Sequence, residues 1–242
     1  LIMKNFKIGL VTGCNGELGI EIAKKLILSK FKIICHIRKK NKKFKDFEKK
    51  YKNNIISTVS CDLLNSSNLE TQLNKITKKI EKLDVLVINA GTPYGNLFEM
   101  TRITDIKKIY EINFFSQILI IQKLLRLMKR SKSATIINIS SLSSVIPLKG
   151  NIPYGGSKAA LNFFTQILAK ELKRYKIRVN ALAPTILNNK MGSKTDPITA
   201  KTLLKNTFKK KPISMKIVTD KIMYLLSKNG HSINGKIIKV IK

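Results

Sequence analysis

A tyrosine and a lysine four residues apart could together carry out acid–base chemistry. Tyr154 and Lys158 stand at positions i and i+4, so on a helix they share one face about one turn apart. A tyrosine with its ordinary pKa of about 10 is a poor acid near neutral pH, but a neighbouring ammonium lowers that pKa. Tyr154 could then donate a proton to a carbonyl oxygen while a hydride reaches the carbon. The pair alone also arises by chance on amphipathic helices, so other residues must support it.

Two polar residues upstream extend this candidate site. Ser141 follows the strand-like run 135–139 and precedes Tyr154 by thirteen residues. Its hydroxyl could hold the same carbonyl oxygen and stabilise the negative charge that develops there. Asn113 lies in a long helix-like stretch that is otherwise apolar on one face, which makes it a further candidate.

A glycine-rich turn near the start of the chain is typical of nucleotide binding. The first strand-like run leads into the sequence TGCNGELG at 12–19, which opens a helix. Glycines there allow a tight turn and let the backbone approach a pyrophosphate at the positive end of the helix. An ordinary strand-to-helix turn could have the same pattern. The candidate cofactor-binding residues of this turn are Thr12, Gly13, Asn15, Gly16 and Gly19.

The residues after the second and third strand-like runs indicate which nucleotide would bind. No carboxylate follows the run 32–37 to hold a ribose 2′-hydroxyl, whereas Arg38, helped by Lys39, could hold a 2′-phosphate. We therefore predict NADPH rather than NADH as the cofactor. Asp62, followed by Leu63 in the predicted site, is expected to accept a hydrogen bond from the adenine amino group.

The elements that must position these residues alternate along the whole chain. Strand-like apolar runs cover 7–12, 32–37, 55–61, 84–88, 135–139, 177–182 and 236–240. Helix-period stretches cover 17–29, 68–82, 103–130 and 154–175, with two more within 199–228. Because apolar strands separated by helices need crossover connections, we predict a doubly wound α/β fold. It would be a Rossmann-like, mostly parallel sheet of about seven strands with helices on both faces.

No domain boundary or repeat interrupts this pattern, so we predict one NADP-binding domain over residues 1–242. The lysine-rich stretch 39–52 is expected to be a solvated loop and helix face. The stretch 188–212 is the least patterned and is predicted to form a mobile flap.

The charge of the chain would ordinarily suggest a polyanionic partner. Its 242 residues include 47 Lys+Arg and 14 Asp+Glu, which gives a formal net charge of +33. Only six of the basic residues are arginine, the residue favoured for phosphate and base recognition, and the skew toward lysine indicates codon bias. The aromatic fraction is 7% with no Trp, which disfavours stacking on bases. We therefore do not expect a nucleic-acid partner.

Cysteine usage and hydropathy predict a cytoplasmic protein. Cys14, Cys35 and Cys61 are widely spaced and form no C-x-x-C pair, so neither a disulfide framework nor a zinc site is expected. With two histidines in the chain, we predict no metal. No apolar run is long enough for a membrane span, so no membrane partner is expected.

Taken in order, the motifs resemble those of the short-chain dehydrogenase/reductase family. They are TG-x5-G at 12–19, NAG at 89–91, Asn113, Ser141, Y-x-x-x-K at 154–158 and RVNALAP at 178–184. By its length and lack of extra segments, the chain is most similar to 3-oxoacyl-acyl-carrier-protein reductases. The resemblance implies NADPH-dependent reduction of a 3-oxoacyl thioester on acyl carrier protein during fatty acid elongation. A reductase of another small carbonyl compound and a nucleotide-binding protein with little turnover remain alternatives.

The resemblance also implies a role for each residue. Tyr154 would be the general acid/base, Lys158 would bind the nicotinamide ribose and tune Tyr154, and Ser141 would orient the substrate carbonyl. Asn113 would hold a water of the proton relay at a local break in its helix. Further cofactor contacts would come from Asn89, Ala90, Gly91, Pro184 and Leu187.

Three departures from the family pattern lie near the implied cofactor. Glu17 stands where the family has its middle glycine, Thr185 replaces a glycine after Pro184, and Asn189 replaces a frequent threonine. A carboxylate near a pyrophosphate is repulsive unless it points to solvent, so Glu17 puts the cofactor affinity in question.

The family further implies a homotetramer and an acidic carrier as partners. Its subunits pair through the helices predicted at 103–130 and 154–175, and the apolar seam is expected to include Leu119, Leu161, Phe164 and Leu168. A positive rim for acyl carrier protein would come from the ends of these helices, at Lys129, Arg130, Arg174 and Lys176. Cations also suit helix C-termini on dipole grounds alone.

Overall fold

Seven parallel strands form one continuous sheet. The computed structural model describes residues 6–195, 197–205 and 210–241. The strands are β1 (Lys7–Val11), β2 (Phe31–Ile37), β3 (Ile55–Ser60), β4 (Val85–Ile88), β5 (Thr135–Ile139), β6 (Arg178–Pro184) and β7 (Ile237–Val240). Their order across the sheet is β3-β2-β1-β4-β5-β6-β7, and every neighbouring pair is parallel. The predicted doubly wound fold is confirmed.

Eight α-helices cover the two faces of this sheet. They are α1 (Glu17–Leu28), α2 (Lys42–Lys50), α3 (Ser66–Lys79), α4 (Ile103–Tyr110), α5 (Ser116–Lys129), α6 (Ile152–Leu172), α7 (Pro197–Leu204) and α8 (Met215–Leu226), as far as the described ranges extend. Buried side chains of α3, α5 and α6 form the core on one face, and those of α1, α2 and α8 form the core on the other. The central strands β4, β5 and β6 are therefore buried along their whole length, whereas the edge strands β3 and β7 are only partly buried.

The lysine-rich stretch after β2 is a helix with a narrow apolar face. In α2 the side chains of Phe44 and Phe47 are buried, while the lysines lie outside. Asn41 caps the helix by accepting a hydrogen bond from the Phe44 N–H at 2.8 Å. The prediction of a solvated helix face is confirmed here.

The predicted flap at 188–212 contains ordered elements. It includes helix α7, and a β-bridge pairs Leu187 with Ile213 at its boundaries. Residue 196 and residues 206–209 of this prediction lie outside the described part of the chain. The mobility of the flap stays a prediction.

The predicted subunit seam is wrong for two of its residues. Leu161 and Leu168 are both buried, and Leu168 belongs to the core between α6 and the sheet, so neither is available to form an apolar seam with a second subunit. The exposed apolar side chains of α6 are instead Phe163 and Ile167, which are 66% and 42% exposed. Among the helices that the structure describes, none is both long enough and apolar enough to span a bilayer.

Candidate active site

The Thr12 side chain joins the carboxyl ends of β1 and β4. Its buried hydroxyl accepts hydrogen bonds from the backbone N–H groups of Asn89 (2.9 Å) and Ala90 (2.8 Å). In return, Asn89 Nδ2 donates to the Thr12 carbonyl oxygen at 2.9 Å. The strand order reverses between these two strands, which is where open α/β sheets bind ligands. Thr12 therefore fixes the floor of the crevice, and Asn89 to Gly91 lie at its edge.

The glycine-rich turn after β1 brings its backbone unusually close to itself. Gly13 has a φ of +70°, which favours glycine. A Cβ atom on Gly19 would overlap the Gly13 carbonyl, so a side chain there would push α1 away from the turn. Gly16 is the N-cap of α1 and supplies no side-chain cap, which leaves the first N–H groups of the helix available to an anion. These features fit a pyrophosphate, as predicted for this turn.

Asn15 ties this turn to the loop between β2 and α2. Its Nδ2 donates to the Lys39 carbonyl oxygen at 3.0 Å, and its own carbonyl accepts from Asn41 Nδ2 at 2.8 Å. Arg38 and Lys39 are exposed at the end of β2, so two cations lie beside the turn. This placement fits a ribose 2′-phosphate.

The residues after β3 lie at the same edge of the sheet. Asp62 is exposed, and its Oδ1 accepts a hydrogen bond from the Leu64 N–H at 3.0 Å, while Leu63 is buried. The adenine contact of Asp62 stays a prediction.

Ser141 and Tyr154 form the second half of the crevice. Ser141 follows β5 and begins a short 3₁₀ turn, in which its Oγ accepts from the Ser143 N–H at 3.2 Å. Tyr154 lies in the first turn of α6 and is half-buried. Burial raises the pKa of the Tyr154 phenol, and interaction with the Ser141 hydroxyl partly lowers it. The structure thus brings together the two groups that were predicted to share a carbonyl oxygen.

The pKa of Tyr154 is shifted in the direction opposite to the one predicted from its pairing with Lys158. The Lys158 side chain is buried, and its Nζ donates to the Ile139 carbonyl oxygen at 2.8 Å. Burial lowers the pKa of Lys158 to about 8. The ammonium is bound to the end of β5, and the pKa of Tyr154 is shifted upward instead of downward. That part of the prediction is wrong for this structure, because desolvation of the phenol outweighs the other effects on it.

Asn113 lies at a break between two helices, as predicted. A π-helical segment, Glu111–Phe115, separates α4 from α5, and the Asn113 side chain is fully buried in it. Its Oδ1 accepts from the Thr92 N–H at 2.8 Å, and its Nδ2 donates to the Thr92 carbonyl at 3.0 Å. Nδ2 also donates to Ser157 Oγ at 3.1 Å. Both ends of the amide therefore hold the loop after β4, and the water-binding role stays a prediction.

The surroundings of Gly91 show that Asn113 and Lys158 lie close to the loop after β4. A Cβ atom on Gly91 would lie 3.2 Å from Asn113 Oδ1 and 3.3 Å from Lys158 Nζ. The loop after β4, the π-helical segment and α6 therefore meet at one point. Ser157 supports Asn113 there by accepting its hydrogen bond, and the sequence analysis did not identify this residue. Its position next to Lys158 in the sequence could have indicated it.

The chain after β6 continues from the same carboxyl edge of the sheet. Pro184 ends β6, and Leu187 is held by its bridge to Ile213. Thr185 is buried, and its hydroxyl donates to the Leu203 carbonyl of α7 at 3.3 Å. Asn189 Oδ1 accepts from the Gly192 N–H at 2.8 Å. Both departures from the family pattern on this segment thus make local hydrogen bonds.

A family comparison agrees with this arrangement. A model of the short chain dehydrogenase family matches residues 7–198. The chain belongs to that family. A short-chain dehydrogenase is an oxidoreductase, and its fold with a glycine-rich turn at the switch point supports a nicotinamide cofactor.

Individual members of the family resemble the chain over most of its length. A 3-oxoacyl-[acyl-carrier-protein] reductase FabG of Rickettsia typhi is 32% identical over 188 residues, which are 78% of this chain and 76% of that protein. An acetoacetyl-CoA reductase of an Acinetobacter species is 26% identical over 244 aligned positions, which cover 98% of this chain and 97% of that protein. The solved structure of ElxO with NADP bound superposes with a TM-score of 0.86 at 25% identity, covering 97% of each chain.

Proposed function

We propose that this short-chain dehydrogenase is an NADPH-dependent reductase in the cytoplasm. It reduces a 3-oxoacyl thioester on acyl carrier protein to the 3-hydroxyacyl form, within a single domain over residues 1–242. The observation that carries the proposal is the approach of Ser141 and Tyr154 at the sheet edge that also holds the glycine-rich turn. The names of two similar proteins, which act on 3-oxoacyl thioesters of different carriers, support the choice of substrate.

The pKa values of the site suit the direction of reduction. NADPH, when bound, supplies the hydride for the carbonyl carbon. Because burial raises the pKa of Tyr154, its phenol stays protonated near neutral pH and can donate a proton to the carbonyl oxygen. The Ser141 hydroxyl holds that oxygen while negative charge develops. Lys158, with its pKa lowered to about 8, holds the ribose and keeps α6 in register with the end of β5.

The positions of the candidate residues support a proposed set of cofactor contacts. The turn at 12–19 holds the pyrophosphate, and Arg38 with Lys39 holds the 2′-phosphate. Asp62 and Leu63 bind the adenine. The nicotinamide end is lined by Asn89, Ala90, Gly91, Pro184 and Leu187, beside Tyr154 and Lys158.

A cluster of cations supports docking of an acidic carrier. Lys129 Nζ lies 3.9 Å from the centre of the Tyr175 ring, and Arg174 Cζ lies 4.7 Å from the same ring. The ring therefore brings the ends of α5 and α6 together, with Arg130 and Lys176 beside them. At 1.5 Å per residue, however, these ends lie about 30 Å along α6 from Tyr154.

This distance links carrier docking to assembly. A carrier bound at the cation cluster could deliver its acyl group only to the site of a neighbouring subunit. We therefore propose a homotetramer in which the exposed side chains of Phe163 and Ile167 contact a second copy. Sedimentation as a monomer at micromolar concentration would contradict both the tetramer and this docking site.

Charge reversal tests the choice of carrier. Arg130→Glu combined with Arg174→Glu should raise KM several-fold for an acetoacetyl group on acyl carrier protein. KM for a short, free acetoacetyl thioester should barely change, and the difference should fade with salt. Lys49→Glu with Lys50→Glu, at the exposed end of α2, is a control with the same change in net charge. An equal loss on both substrates would mean that the arginines serve folding or assembly.

A further inference from the structure

Glu17 is the first residue of α1, and its carboxylate binds two other segments of the chain. Oε1 accepts from Lys43 Nζ of α2 at 2.7 Å. Oε2 accepts from the backbone N–H of Lys190, in the segment after β6, at 2.9 Å. Three segments that are far apart in sequence therefore meet at this one carboxylate.

Each of the three segments belongs to the nucleotide crevice. The start of α1 faces the pyrophosphate position, α2 follows the loop of Arg38 and Lys39, and the segment before Lys190 contains Leu187. That segment is attached on its far side by the bridge from Leu187 to Ile213 and by the hydrogen bond from Thr185 to α7. Glu17 attaches its near side to the glycine-rich turn.

The groups around Glu17 stabilise the negative charge of its carboxylate. The pKa of its carboxyl is lowered, first by the hydrogen bond from Lys43 and then by the Lys190 N–H. The group is thus ionised near neutral pH, and its charge is balanced by the Lys43 ammonium. The carboxylate does not point freely to solvent, because both of its oxygens have partners within the protein.

We infer that Glu17 is a positioning residue for the cofactor, which holds the segment after β6 against the start of α1. It fixes the Lys190 backbone and, with it, the place of Leu187 beside the nicotinamide. The inference rests on the proposed use of NADPH. Because Glu17 accepts this hydrogen bond from a backbone N–H, no side-chain motif in the sequence indicates the contact.

Two substitutions separate the hydrogen bond from the charge. Glu17→Ala removes both, whereas Glu17→Gln removes the charge and keeps an oxygen that can accept from the Lys190 N–H. Glu21→Ala, one turn further along α1, is the matched control. Hydrogen exchange at the Lys190 amide of the full chain measures the contact without any cofactor, and calorimetric titration with NADPH measures its effect on binding.

We expect the variants to differ in their exchange rate at Lys190 and in their affinity for NADPH. Exchange at Lys190 should be about tenfold faster in Glu17→Ala, and NADPH should bind several-fold more weakly. Glu17→Gln and Glu21→Ala should both stay near wild type in exchange and in affinity.

Two results would overturn the positioning role of Glu17. Unchanged exchange at Lys190 in Glu17→Ala would show that the carboxylate does not hold the segment. Tighter NADPH binding by both Glu17 variants would show that it acts only by repelling phosphate. If the wild-type chain bound no NADPH, the proposed function would fail, and the exchange rates would still decide whether Glu17 positions the segment.

Discussion

The two halves of the crevice are organised differently. Around Tyr154 the polar side chains are largely buried, and Asn113 and Lys158 are hydrogen-bonded to backbone groups of neighbouring elements. Around the glycine-rich turn the backbone is fixed, but Arg38, Lys39 and Asp62 are exposed at the surface. Buried polar networks fix one geometry, whereas exposed charges gain little until a ligand reaches them. Substitutions in the first half should therefore alter chemistry and stability, and those in the second half should alter affinity.

The largest expected effect is the loss of the proton donor. Tyr154→Phe should reduce kcat by about a thousandfold, since only the phenol supplies the proton. NADPH affinity, measured by calorimetry, should stay close to wild type because the ring remains in place. Tyr224→Phe, on the exposed side of α8, is the control. Retention of most activity in Tyr154→Phe would remove this residue from the mechanism.

Lys158 should make the stability of the first half depend on pH. Its pKa is about 8 in the folded chain and returns to 10.5 on unfolding, so between these values the unfolded chain binds a proton that the native chain lacks. The contribution of Lys158 to the free energy of unfolding therefore rises with pH across this window. Below it, the buried ammonium costs on the order of 3 kcal/mol.

A neutral variant isolates that contribution from the other lysines. Lys158→Met should be more stable than wild type at neutral pH by about 2 kcal/mol, after the lost hydrogen bond is subtracted. Urea unfolding at a series of pH values should show this advantage shrinking as the pH approaches 10.5. Lys170→Met, on the exposed side of α6, should show no such trend. A difference between Lys158→Met and wild type that is independent of pH would argue against a lowered pKa.

The sequence was sufficient for the positions of the strands and for the doubly wound fold, and it placed the candidate residues of both halves at one edge of the sheet. Apolar runs mark buried parallel strands, and the candidate residues follow those runs at the carboxyl edge, where ligands bind. It was insufficient where contacts depend on backbone groups of distant elements. The bonds from Lys158 to the Ile139 carbonyl and from the Lys190 N–H to Glu17 leave no pattern in the side chains.

The sequence also could not show which apolar face of a helix contacts a second subunit. Leu161 and Leu168 have the spacing of a packed helix face, and the same spacing serves the chain's own sheet or a second subunit. Only the structure shows that this face is buried within the chain, and that Phe163 and Ile167 are exposed.

A smaller effect is expected in the exposed half. Arg38→Ala should lower kcat/KM for NADPH about tenfold, because one charge-assisted contact to the 2′-phosphate is lost. The kcat/KM for NADH should change little, so the ratio of kcat/KM for NADPH to that for NADH measures the contact between Arg38 and the 2′-phosphate. Wild-type values of kcat/KM that are comparable for both cofactors would contradict the assignment of Arg38.

The most direct test of the whole account is turnover of an acetoacetyl thioester by the wild-type chain. The two halves of the crevice should act together, so that one NADPH is oxidised for each 3-hydroxybutyryl thioester formed. Consumption of NADPH and formation of product can be followed in the same reaction. Binding of NADPH without any reduction of the thioester would contradict the account, and would leave a nucleotide-binding protein with little turnover.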